Sequence, residues 1–355
     1  GNLEVGATFE GTDVSKVQFA SSELPNVWNA ARIHREMTVE EIKRIVEAMI
    51  DTAELAKKAG IDGVEIHAVH EGYLLDQFAI SNTNHRTDEY GGSLKNRMRF
   101  ATDVIRGIKE RCGDDFPVAV RYGAVSKMKG FNQGALPMEA YEEFGRTLEE
   151  SPAVARMLVD AGCDLLDVDN GSYDSWYWAH PPVYMPEACN LPEAQYIKSF
   201  VDVPVICAGR MENPDIAAKA IEHESIDAVG IARQFLADPE YTNKIMNGEL
   251  DSIRPCIACH NGCLGSLLAG RGVSCALRPI TMNEDRYNFA KADKPAKVMV
   301  VGGGIGGMEA ARLLAKCGND VSLYESTDRL GGAFIAAAAP SFKNAEKKLI
   351  AWYER

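Results

Sequence analysis

The sequence predicts an α/β protein in which a series of parallel βα units is followed by a second, nucleotide-type α/β fold. Three observations carry that prediction. Short β-branched runs alternate with helical patterns from residue 38 to about residue 247. Four cysteines then crowd into residues 256–275, and a glycine-rich turn, Gly302-Gly-Gly-Ile-Gly-Gly307, follows a short apolar strand.

The first helix has a defined start. Thr38-Val-Glu-Glu41 reads as a capping box, and Ile42, Ile45, Val46, Met49, Ile50 and Ala53 recur at helical spacing until Gly60. Strands are expected at Gly63–Val69, Pro117–Tyr122, Leu165–Asp169, Pro204–Ala208 and Ala228–Ala232. Helices are expected between them at Asn96–Cys112, Pro152–Ala161, Pro192–Phe200 and Pro214–Glu222, with Pro239–Asn247 after the last; four of the five begin on a proline, which favours the first helical turn.

This is most of a (β/α)8 TIM barrel. Residues 1–37 are polar and without sustained period, so roughly three N-terminal units of the barrel are expected to lie outside this sequence. The nucleotide-type fold, beginning near Ala296, is likewise expected to be only a part. The domains expected are a partial barrel at 1–250, a cysteine segment at 251–290 and the start of a Rossmann-like FAD/NAD-binding domain at 291–355.

The 355 residues are 46% hydrophobic and 25% charged, with no apolar run near the ~18 residues that a membrane span needs. The net charge of −13 has no basic stripe within it. Neither nucleic acid nor membrane is expected as a partner. No leader pattern opens the chain, and a cytoplasmic protein is expected.

Cys256, Cys259, Cys263 and Cys275 offer four thiolates from one loop-rich stretch, whereas Cys112, Cys163, Cys189, Cys207 and Cys317 are scattered and read as core or helix-end thiols. Four thiolates select zinc or an iron–sulfur cluster. Spacing of the C-x2-C-x3-C kind with a distant fourth wraps a [4Fe-4S] cubane more naturally than two zinc knuckles do. His260, inside the loop, reads as a neighbour of the ligands.

Gly302, Gly304 and Gly307 match the dinucleotide fingerprint between the strand Lys297–Val301 and a helix at Met308–Lys316. A second strand, Asp320–Tyr324, ends in Glu325, placed to accept hydrogen bonds from a ribose. Both FAD and NAD suit such a site; the continuation Arg329-Leu-Gly-Gly332 favours FAD.

Several motifs together resemble the iron–sulfur flavoenzymes that join an Old Yellow Enzyme barrel to an FAD/NAD domain. They are Val64-Glu-Ile-His67-Ala-Val-His70-Glu-Gly-Tyr73-Leu, Arg86-Thr-Asp-Glu-Tyr-Gly-Gly-Ser93, Ala208-Gly-Arg210, Ala232-Arg233 and the cysteine set. The group includes 2,4-dienoyl-CoA reductase, 2-enoate reductase and trimethylamine dehydrogenase. Glu71, Lys129–Gly134 and the run Trp176–Met185 look most like the 2-enoate reductase and bile-acid-inducible branch of anaerobic bacteria.

The resemblance implies FMN at the barrel mouth, FAD and NAD(P)H in the second fold, and a cluster relaying electrons between them. It places Gly209, Arg210, Ala232 and Arg233 on the FMN phosphate and Arg121 near the flavin ring, where a structural salt bridge is the other reading. It makes His67 and His70 donors to the oxygen of an α,β-unsaturated carbonyl compound, and Tyr73 the proton donor with His180 in reserve. Trp176, Tyr177 and Trp178 wall a cavity or pack the core. An amine dehydrogenase and a non-catalytic electron-transfer module are the competing readings, and a homo-oligomer is the expected assembly.

Overall fold

The computed structural model describes residues 19–27, 29–287 and 289–355. They form two compact units: the first runs to Gly230 except for Pro182–Pro186, and the second comprises that insert and Ile231–Arg355.

In the first unit, β1 (Phe19–Ala20), β2 (Leu24–Pro25) and β3 (Ile33–Glu36) make a small sheet in the stretch where the sequence signals no βα units. Helix α1 (Val39–Lys58) starts as its sequence demands. The Thr38 hydroxyl accepts from Glu41 N at 3.2 Å while Glu41 Oε2 accepts from Thr38 N at 3.0 Å. Its buried stripe of Ile42, Val46, Ile50 and Ala53 packs on α4. The helix expected at Asn96–Cys112 is two, α3 (Leu94–Arg97) and α4 (Arg99–Cys112), because the buried Arg97 turns inward to bond Ala79 O and Glu150.

The five expected strands form one parallel sheet in the order β4 (Val64–Val69), β5 (Val118–Gly123), β8 (Leu165–Asp169), β9 (Val205–Ala208), β10 (Ala228–Gly230). Helix α2 (Leu74–Ala79) follows β4; α5 (Ser151–Asp160), α7 (Leu191–Lys198) and α8 (Pro214–Glu222) are crossovers, and the short α6 (Trp176–Ala179) follows β8. Strand β10 ends two residues earlier than expected. A hairpin of β6 (Met128–Gly130) and β7 (Gln133–Gly134), which no periodicity announces, rises between β5 and α5.

Register gives the sheet two unlike faces. Ile66, Val120, Leu166 and Val205 are aligned neighbours, each buried, and fix the sheet to its helices. One residue on, His67, Arg121, Asp167 and Ile206 form the next aligned row, on the opposite face. Chemistry-bearing side chains therefore collect on one face at the C-terminal ends of the strands, where this class of fold builds its sites.

In the second unit, α9 (Arg233–Ala237) and α10 (Tyr241–Met246) lead to the cysteine segment and α11 (Leu264–Leu268). The expected helix from Pro239 begins only at Tyr241. Strands β11 (Lys297–Val301) and β12 (Asp320–Tyr324) pair in parallel around α12 (Ile305–Lys316), followed by α13 (Ala333–Ala337) and α14 (Asn344–Tyr353). A small core of Ile257, Leu277, Ala345 and Leu349 takes in Cys259, Cys275, Ile305 and Phe334, so the cysteine loop and the nucleotide-type fold share packing. Among the described residues, no helix is long and apolar enough to cross a membrane.

Candidate active site and cofactor-holding residues

At the end of β4 the chain turns through His70, Glu71 and Gly72, and Tyr73 N donates to His70 O at 3.0 Å before α2 begins. The turn is held from below by a buried pair: Arg146 Nη2 lies 2.6 Å from Asp76 Oδ1, and Asp76 Oδ2 accepts from Gly72 N at 2.8 Å. The histidines expected to act together are in contact, with His67 Nε2 2.9 Å from His70 Nδ1.

Two acids that sequence reasoning passed over complete this group. His70 Nε2 lies 2.6 Å from Asp169 Oδ1, and Arg121 Nη2 donates to Asp169 Oδ2 at 2.6 Å; Arg121 Nε is 3.9 Å from Asp167. The available signal was that Asp167 and Asp169 interrupt an otherwise apolar strand.

Burial opposes a charge on His70, but attraction to Asp169 and the bond to it win and raise its pKa. Burial opposes ionisation of Asp169 too, and His70 and Arg121 overcome it and lower its pKa. His67 is held down to about 4, by desolvation first and then by the charges of His70 and Arg121. With His70 protonated, its Nδ1–H donates to His67 Nε2, and the proton of a neutral His67 then sits on Nδ1.

Glu71 is buried at φ 54°, and Tyr173 N donates to its carbonyl at 3.1 Å. Its carboxylate lies 2.9 Å from His180 Nε2 and 3.7 Å from His70 Nδ1. Desolvation resists its ionisation, yet His180 and His70 keep its pKa low. Glu71 does not turn Tyr73 away: the ring stands edge-on to His67 at 4.7 Å and to Tyr173 at 5.5 Å. Burial raises the pKa of the phenol, and the neighbouring Glu71 charge adds to that rise.

Trp176 packs edge-on to His180 at 5.1 Å, whereas Tyr177 Oη and Trp178 Nε1 both donate to Ala135 O in the hairpin region, at 3.0 and 2.7 Å. The aromatic run thus divides between site and scaffold. His67, His70 and Glu71 bring ligand atoms within 4.8 Å of one another, a spacing that suits a cation; here His70 bonds His67 and pairs with the Asp169 carboxylate.

Past β9, Gly209 takes φ 117° and Arg210 φ 55°. A Cβ on Gly209 would meet Asn190 Nδ2 at 2.3 Å, so glycine is required there. In the second unit, Ala232 precedes α9, and Arg233 contacts His260 of the cysteine loop.

All nine cysteines are free thiols, and Cys112, Cys163, Cys189 and Cys207 are buried as expected of core residues. Within the cysteine loop, backbone N–H groups two residues on turn towards the sulfurs: Ala258 N to Cys256 Sγ and Leu277 N to Cys275 Sγ, each at 3.4 Å, and the Asn261 backbone to Cys259. Such donors stabilise thiolates, and the donor set fits a thiolate-held cluster. Gly262 O accepts from Ser274 N at 2.7 Å and brings Cys263 and Cys275 to the same loop.

The glycine fingerprint closes as expected, but α12 begins at Ile305, inside it, so that Gly304 caps the helix. Gly302 takes φ 104°, and a Cβ on Gly307 would lie 1.9 Å from Gly302 O. Glu325, at the end of β12, accepts from Gly303 N at 2.7 Å and from Thr327 N at 3.0 Å, bonds that lower its pKa to about 2. The acid therefore braces the phosphate-type loop, ionised at the strand end where a ribose is bound in such folds.

Residues 6–251 match the model of the "NADH:flavin oxidoreductase / NADH oxidase family", and residues 300–343 that of an "NAD(P)-binding Rossmann-like domain". A cinnamate reductase of Clostridium sporogenes is 50% identical over 96% of this chain and 51% of its own length. An NADH oxidase of Thermoanaerobacter brockii is 38% identical over 90% of this chain and 46% of its own. The chain spans about half the length of these relatives. Among solved structures, a 2-naphthoyl-CoA reductase complex superposes with a TM-score of 0.82 at 32% identity, covering 91% of this chain and 47% of that one. With more than half of its residues in the family match and a parallel βα sheet carrying its polar row, the chain belongs to the NADH:flavin oxidoreductase / NADH oxidase family.

Proposed function

We propose that this protein reduces the C=C bond of an α,β-unsaturated carbonyl compound, an aryl-substituted 2-enoate first among them. Its cofactors would be FMN, FAD and a [4Fe-4S] cluster, with NAD(P)H as reductant. The observation that carries the reading is the neutral His67 backed by the charged His70–Asp169 pair, a donor suited to an oxygen that gains negative charge. The likeness to a cinnamate reductase supports the substrate class.

When bound, FMN would offer hydride chemistry at the β-carbon, with FAD and the cluster as the electron supply. His67 holds the carbonyl or carboxylate oxygen through Nδ1–H, and His70 strengthens that donor from behind. Tyr73, kept protonated by its raised pKa, gives a proton to the α-carbon. Glu71 and His180, 2.9 Å apart, pair beside it and return a proton to the phenol. Arg121 brings a fixed cation to the interior face, suited to a reduced, anionic flavin.

Gly209 and Arg210 are the residues of the first unit that we assign to the flavin phosphate. Cys256, Cys259, Cys263 and Cys275 hold the cluster; Gly302, Gly304, Gly307 and Glu325 hold the second dinucleotide. An N–H donor of this kind does nothing for a fully methylated cation, which weighs against an amine dehydrogenase. A cytoplasmic homo-oligomer is the assembly we infer.

The test is the cofactor content of the full-length protein purified without oxygen, followed by NADH oxidation with cinnamate-like enoates. FMN, FAD and about four irons per chain, with enoate-dependent turnover, are expected. Zinc in place of iron, or no FMN, overturns the reading.

A further inference from the structure

Two buried polar side chains in the second unit have no part in the chemistry above; Gln234 grips the backbone around Cys256 and Arg254 the backbone just past Cys275. Gln234, in α9, is 3% exposed. Its Oε1 accepts from Cys256 N at 2.8 Å, and its Nε2 donates to Arg254 O at 2.8 Å, so one amide spans the stretch 254–256 as a neighbouring strand would. Arg254, 5% exposed, carries the grip further. Its backbone N donates to Asp238 Oδ2 at 2.8 Å, and its guanidinium reaches Leu277 O, two residues past Cys275. The other face of the guanidinium meets Glu309 of α12 at 3.1 and 3.0 Å and lies 4.6 Å over the Trp352 ring. Glu309 is itself held by Arg312 and by Tyr353 Oη, at 2.9 and 3.0 Å.

We propose that Gln234 and Arg254 are positioning residues for the cysteine-held cluster, fixing Cys256 and Cys275 between helix α9 and helix α12. The proposal rests on the cluster assignment made above. An outer shell that orients ligands without touching the metal governs how tightly the metal is kept and how its electronics are tuned. Here that shell has two anchors. Helix α9 precedes the cysteine segment, and α12 begins in the dinucleotide loop. The cysteine backbone would thus be kept in register with that loop by hydrogen bonds that leave its ligands unchanged.

The experiment compares parent, Gln234→Leu, Gln234→Glu and Glu309→Gln in the full-length protein purified without oxygen. Iron and sulfide content, the rate of iron loss to a chelator and the cluster's midpoint potential by EPR-monitored titration are the readouts. Gln234→Leu is expected to lose iron at least ~10-fold faster and to shift the midpoint potential, with Gln234→Glu, which keeps the acceptor for Cys256 N–H, intermediate. Should Gln234→Leu not fold, Glu309→Gln, which leaves the cysteine backbone untouched, is expected to show the same direction more weakly. Variants with parental iron retention and potential overturn the proposal, as does a change confined to the melting temperature. A parent that holds no iron overturns the cluster assignment itself, and is read without any variant.

Discussion

Nε2 of His70 and Oδ1 of Asp169 lie 2.6 Å apart, with both side chains 1% exposed, and Arg121 holds the other oxygen of the same carboxylate. A buried charge pair of this kind is costly to break from one side. His70 has its pKa raised, so its contribution to stability is full below the ordinary histidine range near ~6.5 and is lost as pH rises through the folded value. Asp169 has its pKa lowered, so its contribution is present above about 4 and is lost as pH falls through its folded value. Asp169→Asn is expected to leave His70 neutral at pH 7 and to cost about 3–5 kcal/mol. Denaturant unfolding and histidine nitrogen chemical shifts check both. A His70 that stays charged in the variant would refute the pairing.

His67 is neutral throughout the working range, its pKa being near 4. Its hydrogen-bond donation should therefore be independent of pH from about 5 to 8. His67→Ala is expected to lower kcat/KM for an enoate by ~10²–10³-fold, and His67→Asn, which keeps an N–H donor, to recover part of that loss. Equal losses in the two variants would argue that the ring serves packing alone.

Tyr73 and His180 converge on Glu71, so their substitution separates donor from support. Tyr73→Phe is expected to lower kcat by ~10²-fold or more with little change in enoate binding. His180→Gln should have a smaller effect on kcat. Steady-state kinetics in H₂O and D₂O measure this; a larger loss in His180→Gln would transfer the donor role to His180.

Gly307→Ala puts a methyl group 1.9 Å from Gly302 O, and the helix and glycine loop cannot both keep their places. Released flavins should show FAD lost and FMN retained. Full FAD content in the variant would contradict the dinucleotide reading of this loop.

Local signals settled a large part of this molecule. The capping box at Thr38, strand Leu165–Asp169 and helix Pro214–Glu222 stand where pattern alone puts them, because each depends on neighbours a few residues away. The cysteine spacing and the glycine fingerprint are equally local, since their ligands are supplied by short contiguous stretches. Local signals failed where a long-range contact decides: at the break between α3 and α4, made by Arg97 reaching Glu150, and in the β6–β7 hairpin.

The candidate site divides along the same line. By itself the sequence determined which side chains sit at each strand end: His67 in β4 with His70 and Tyr73 after it, Arg121 in β5, and Asp167 and Asp169 in β8. Only the tertiary structure decided that Asp169 would hold His70 and Arg121 at once, that Glu71 would pair with His180, and that Gln234 would clasp Cys256. The physical reason is that strand register and helix packing bring together residues far apart in the chain, and charge and burial then fix which nitrogen carries a proton.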